Sequence, residues 1–237
     1  MKQSPLNRLQ GLILAGIVSG IFSPLLPAAV LVSYPFNSGA LAPVSVDPGL
    51  IAGDFSGASV LQANYASGFA RVVSDRIPGP SGVPGTPADA LSAGTYFSFQ
   101  VAPQSGQTLN LTSLDFSGAL YGAGSAGSYT ATFFVRSSLD NYGTTVGNPF
   151  SVSYQLNSSP SFTNTSINLT DLSFQNLSGP ITFRIYLYDS GIAATNRYVG
   201  LDNVVLNGVV IPEPTIGLLL GTGLALIWLR RRCRSGP

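Results

Sequence analysis

The 237-residue sequence predicts an all-β protein: an antiparallel β-sandwich, jelly-roll-like, flanked by an N-terminal signal helix and a C-terminal transmembrane helix. Three observations predict it. Composition comes first: 9% charged and 45% hydrophobic residues, with 27 Gly and 17 Pro, suit short strands joined by many turns and are too apolar for a disordered chain. Second, apolar–polar alternation of period two recurs from about residue 30 to residue 210, with no helical pattern of useful length. Third, each end carries an uncharged apolar run bordered by basic residues.

Residues 1–29 read as a secretory signal peptide. Lys2 and Arg8 give a positive start, and Gly11 to Phe22 is an uncharged, mostly apolar run. Pro24 and Pro27 break that run, and Ala28 and Ala29 supply the small residues a signal peptidase needs. The run falls short of the roughly 20 residues of a membrane span.

Residues 30–210 read as the sandwich. Val30–Phe36, Ser59–Tyr65 and Phe69–Val73 are apolar runs of strand length. Residues 77–87 hold four prolines and predict an exposed loop. Strands are then expected over residues 95–101, 108–116, 128–136, 150–156, 161–172, 181–188 and 199–209. Within 108–116 the alternation slips at Thr112-Ser113, which predicts a β-bulge. In 181–188, Ile181, Phe183, Ile185 and Leu187 alternate with Thr182, Arg184, Tyr186 and Tyr188, the pattern of a half-exposed antiparallel strand. No internal repeat supports a propeller.

Residues 211–237 form the last element. Ile211-Pro212-Glu213-Pro214 is followed by the uncharged run 215–229 and then by Arg230, Arg231, Arg232, Cys233 and Arg234. A fifteen-residue helix spans about 22 Å, short for a hydrocarbon core of about 30 Å, with Trp228 and the arginines placed to reach an interface. The basic end orients residues before Pro212 outward. A Pro-Glu-Pro motif, a short glycine-bearing apolar helix and a basic terminus, in that order, resemble the PEP-CTERM sorting signal of Gram-negative bacteria. The resemblance implies recognition and cutting near Pro212, Glu213 and Pro214 by an exosortase, an inner-membrane precursor, and a product at the cell surface or in the extracellular matrix. The family commonly has Val where this chain has Ile211. The segments 96–101, 109–116, 135–142, 179–188 and 200–208 also resemble a recurrent PEP-CTERM ectodomain, which implies a jelly-roll-like sandwich and brings no established activity.

Charge and residue type narrow the function further. The ends hold six of the eleven basic residues, so the middle sets five Arg against nine Asp and carries a net −4, no surface for nucleic acid. With no His, and with Cys233 and Glu213 both in the tail, the domain has no triad, thiol nucleophile or imidazole metal site. Asp pairs alone would have to serve glycoside chemistry. Asp47, Asp54, Asp75, Asp140, Asp171 and Asp189 read as turn formers through Asx hydrogen bonds. The expected protein is not an enzyme.

Two binding features remain. Tyr186 and Tyr188 with Arg184 on one strand predict a flat surface for stacking sugars, with Tyr96, Tyr129 and Tyr154 as additions; plain packing of half-buried tyrosines accounts for the same pattern. Asp202 in Leu201-Asp-Asn-Val is similar to a final-strand segment of several carbohydrate-binding jelly rolls, where the resemblance implies a structural Ca²⁺ site. Asp47 or Asp54 would help fill the six to eight oxygens that Ca²⁺ takes; capping of a loop by Asp202 is the competing account. The expected function is structural or adhesive, associated with exopolysaccharide or biofilm. The alternative is a calcium-dependent carbohydrate-binding module.

Overall fold

The computed structural model describes residues 28–36, 39–57, 69–73, 85–123, 129–156, 160–190 and 197–213. The signal segment before residue 28, the expected strand Ser59–Tyr65 and the apolar run 215–229 lie outside the described residues. Among the described residues no helix is long and apolar enough to cross a membrane.

Twelve strands and one helix follow in chain order: β1 (Ala29–Tyr34), β2 (Ser45–Val46), β3 (Leu50–Ala52), β4 (Ser56–Gly57), β5 (Ala70–Val73), α1 (Pro87–Ala93), β6 (Tyr96–Pro103), β7 (Gln107–Gly122), β8 (Thr130–Ser137), β9 (Val146–Leu156), β10 (Thr163–Asn168), β11 (Ile181–Asp189) and β12 (Arg197–Pro212). They form two layers. In the first, β12 and β7 pair along almost their whole length, β1 and β5 flank β12, β2 pairs β1, and β10 flanks β7. In the second, the order is β9, β8, β11, β6, with β3 and β4 both on the far side of β6. Strand β9 joins the layers, since its far end runs parallel to β7 at Leu120↔Tyr154 and Tyr121↔Gln155. That short parallel contact departs from the all-antiparallel expectation; the β-sandwich itself is as expected.

The alternation of β11 explains the second layer. Ile181, Phe183, Ile185 and Leu187 are fully buried. Their partners on β6 and β8, among them Val101, Phe99, Phe97, Val135 and Phe133, point the same way. From the first layer Leu109, Leu111, Leu114, Phe116, Val204 and Leu206 meet them in one continuous core. Aromatic rings tie the layers together. Tyr34 and Phe55 pack on Phe99, and Phe116 meets Phe133 edge-on at 6.0 Å between ring centres. A Cβ at Gly118 would stand 2.7 Å from the Phe133 ring, so the bare backbone there lets that ring close against β7.

Two bulges shape the β7–β12 ladder. Ser113 pairs Asn207 and Leu111 pairs Gly208, leaving Thr112 as the extra residue at the slip in alternation. Its carbonyl accepts the Leu169 N–H at 2.9 Å instead. The second bulge is on β12, where Asp202 pairs Ser117 and Val205 pairs Asp115, and Asn203 takes a left-handed φ of 49°. Asn tolerates this conformation better than most residues.

Helix α1 corrects the expectation of a helix-free domain; of the expected loop 77–87, residues 77–84 lie outside the described residues. Thr86 and Asp89 form a reciprocal capping box, Pro87 occupies the first helical turn, and Gly94 ends the helix at φ 64°. Seven residues are fewer than two turns, too short for the period-3.6 pattern to register. Asp189 ends β11 and is buried.

Candidate functional site: two outer sheet faces

The outer face of the second layer carries the residues expected to stack sugars, and α1 covers part of it. Ala90 packs with Phe134 and Tyr186, and Leu91, Tyr96 and Tyr188 border them. Tyr186 keeps only 3% of its surface exposed, stacked on Phe134 with the rings 13° from parallel and 5.1 Å apart. A sugar ring has no access to that tyrosine, so of the two accounts of its position plain packing holds. The physical reason is the cover: a helix that the strand pattern did not reveal lies over it.

Arg184, on the same face, is engaged by its own neighbours. Its guanidinium lies 3.6 Å from the centre of the Tyr142 ring and 4.4 Å from that of Tyr96, and it donates to the Tyr186 hydroxyl at 3.3 Å. Burial works against the charge, but the Tyr186 hydrogen bond and the facing phenols raise the pKa above the ordinary arginine value. Asn141 and Tyr142 both hold left-handed φ, at 56° and 59°, and Arg136 donates to the Tyr142 carbonyl at 2.6 Å. The β8–β9 turn is thus folded so that Tyr142 faces Arg184. Tyr188 remains half-buried beside Phe134, with ring centres 6.2 Å apart.

Tyr129 and Tyr154 do not join that face. They pack edge-on against each other at 5.7 Å, and the Tyr154 hydroxyl donates to the Gly122 carbonyl at 3.0 Å. Tyr129 stacks under Arg197 at 3.7 Å. Arg197 is 2% exposed, and among the described residues its guanidinium nitrogens have no hydrogen-bond partner. The sequence counted Arg197 only as a charge; an arginine opening a strand gives no signal that it is buried.

The three expected metal ligands are not gathered into one site. Asp202 turns back on its own bulge and accepts the Asn203 N–H at 2.7 Å and the Asn203 side-chain amide at 3.1 Å. Burial pushes its carboxyl above the usual carboxylate range, and the Asn203 N–H offsets part of the rise. Asp47 accepts the Gly49 N–H at 2.8 Å. Asp54 lies close enough to Tyr34 to add to the burial that raises the Tyr34 phenol far above its ordinary value. Among the described residues no group of three or more His, Cys, Asp or Glu is placed to hold a metal. These residues therefore do not fit a Ca²⁺ cage, and loop capping accounts for Asp202.

The outer face of the first layer is polar. Asp115 of β7 stands opposite Ser166 of β10 and Val205 of β12. Its carboxylate accepts hydrogen bonds from the Ser166 hydroxyl, from Asn207 at 2.6 Å and from Ser113 at 3.3 Å. Beside it opens a cleft of about 550 Å³ lined by Asp115, Phe116, Asn164, Thr165, Ser166 and Asn203. The serine and asparagine side chains look like ordinary outward strand residues in sequence; only the pairing of β10 with β7 and the bulge at Asn203 bring them together.

Of the expected sorting motif, Pro212 and Glu213 are described and sit at the end of the β7–β12 ladder. Pro212 pairs Gln107, and the Glu213 N–H donates to the Gly106 carbonyl at 2.8 Å. Pro214, Arg230, Arg231, Arg232 and Arg234 lie outside the described residues.

No family model matches the chain, and no curated protein matches it. Several solved structures are similar at low identity. A carbohydrate-binding module specific for non-crystalline cellulose, CBM28, is 11% identical with a TM-score of 0.39, over 65% of this chain and 88% of that one. The mannan-recognising module TmCBM27 is 9% identical with a TM-score of 0.40, over 78% and 99%. The N-terminal cellulose-binding domain of β-1,4-glucanase C from Cellulomonas fimi is 13% identical with a TM-score of 0.35, over 79% and 97%. Superposition this loose carries no argument about what the present chain binds.

Proposed function

We propose that the chain is an exported, non-catalytic β-sandwich, sorted by an exosortase to the cell surface or extracellular matrix, where it acts as a structural or adhesive protein in contact with polysaccharide. The observation that carries this reading is where the sandwich stops. The last pair of the β7–β12 ladder falls on Pro212, and one further hydrogen bond fixes Glu213. Pro212 and Glu213 of the expected processing motif thus close the described part of the ladder, which supports a junction between domain and sorting signal at this point. The domain composition supports the non-catalytic part, since it holds no His, Cys or Glu and its exposed carboxylates at Asp140 and Asp171 are occupied by local N–H and hydroxyl donors. A charge-poor sandwich with polar outer strands suits contact with a hydrated polymer.

The test is the C-terminal mass of the protein from the producing strain, with the exosortase gene intact and deleted. The expected product ends near Pro212–Pro214 only when the enzyme is present. An intact C-terminus in both strains would refute exosortase sorting.

A further inference from the structure

We propose that the cleft beside Asp115 is a binding site for a neutral, hydroxyl-rich ligand, a segment of uncharged polysaccharide. This rests on the polysaccharide-contacting role proposed for the domain and gives it a place. The cleft crosses three strands: Asn164 and Ser166 come from β10, Asp115 from the central β7, and Asn203 from the bulge of β12. Two strand spacings make it about 10 Å wide at the level of the backbone. Its volume of about 550 Å³ lies within the ordinary range for ligand sites.

The lining selects the ligand class. Among the described residues no lining residue is basic, and Asp115 brings a negative charge, so an anionic polymer meets no described group to pair with. A bare cation fares no better, because three donors from Ser166, Asn207 and Ser113 already occupy the single carboxylate. Those bonds hold the Asp115 carboxylate in one orientation and fix the Ser166 side chain at the cleft wall. The Asn164 amide, the Thr165 hydroxyl, the lone pairs of Ser166 and what the Asn203 amide keeps beyond its bond to Asp202 are what remain, and these match sugar hydroxyls. Asn203 reaches the cleft because its left-handed φ of 49° carries it off the regular pleat. Phe116 contributes little ring surface, since it is 2% exposed and packed on Phe133. The site therefore recognises by hydrogen bonds rather than by stacking.

The experiment is affinity electrophoresis of the full chain in detergent through gels containing mannan, xylan or hydroxyethyl cellulose, with alginate as the anionic comparison. The variant is Asn164→Ala with Asn203→Gly, glycine keeping the left-handed backbone. Thr182→Ala on the opposite sheet is the control, and thermal melts establish that each variant is folded. Retardation by at least one neutral polymer, weakened about tenfold in the double variant and unchanged in Thr182→Ala, is the expected result. Unchanged retardation of a folded double variant would overturn the cleft and leave polysaccharide contact standing. No retardation by any neutral polymer would overturn both, and retardation by alginate alone would overturn the neutral ligand class.

Discussion

Replacing Arg184 by Met separates a structural role for the aromatic face from a ligand-binding one. The substitution keeps the unbranched stem and removes the guanidinium, which touches two rings and one hydroxyl. Each ring contact at a partly exposed site is worth about 0.5–1 kcal/mol, and the hydrogen bond to Tyr186 about 1 kcal/mol. The expected loss is about 2 kcal/mol. For a domain of this size that lowers the melting temperature by about 4–8 °C. Near-UV circular dichroism of the full chain in detergent reads the melt through tyrosine packing. Arg184→Lys keeps the charge but loses the planar face, so it falls between the two. Retardation in neutral polysaccharide gels stays at the wild-type level in both variants. A melt of Arg184→Met within about 1 °C of wild type, or a folded variant that loses polysaccharide retardation, refutes the assignment of this face to internal packing.

Three other perturbations test the fold. Thr86→Ala removes one half of the capping box and costs α1 about 1 kcal/mol; hydrogen exchange at residues 90–94 quickens while the amides of β11 hold. Gly118→Ala drives a methyl to within 2.7 Å of the Phe133 ring and costs about 1–3 kcal/mol in chemical denaturation, whereas Gly179→Ala, with open space around it and an ordinary φ, shifts the midpoint little. The Asp140 carboxyl is held below its ordinary value by the Thr144 hydroxyl and then by the Thr144 and Gly143 N–H groups, and that of Asp171 by the Ser173 N–H and hydroxyl. Their contribution is present above the ordinary carboxylate value and is lost as pH falls through the lowered folded values. Asp202 has the opposite sign: its raised pKa favours the folded state at low pH, and that advantage fades as pH rises through the raised value. Melts from pH 2 to 7 therefore show a shallower acid limb in the double variant Asp140→Asn, Asp171→Asn and a steeper one in Asp202→Asn.

What the sequence made legible follows the physics of alternation. Strand β11 could be read residue by residue because its inward positions are large and apolar and polar or amphipathic side chains alternate with them. Strand β7 was read only to Phe116, yet it continues to Gly122, since Ser117, Gly118 and Ala119 are too small to carry a period-two signal although Ser117 and Ala119 are buried. Helix α1 announced itself through chemistry, Thr86-Pro87-Ala88-Asp89, rather than through period, and the prolines before it weighed more heavily. The buried state of Tyr186 depends on that helix, so without those seven residues stacking and plain packing both stayed open for this face.

The two bulges show how one signal admits two meanings. At Thr112 the alternation slips by one position, and the slip was read as a bulge because nothing else competed for it. At Leu201-Asp202-Asn203-Val204 the slip is the same: Leu201 and Val204 are both fully buried, three positions apart where a regular strand would set them two or four apart. There the similarity of the segment to one in carbohydrate-binding jelly rolls suggested a metal ligand at Asp202. The geometry gives the simpler cause: the extra residue needs a left-handed backbone, Asn203 supplies it, and the Asp202 carboxylate satisfies the N–H and amide that the bulge frees. The same displacement of Asn203 helps to form the cleft on the first layer. A bulge required by packing along β12 thus shapes the polar surface to which the polysaccharide contact is assigned, and an Asp-Asn pair at a phase slip is read first as backbone chemistry and only then as a site.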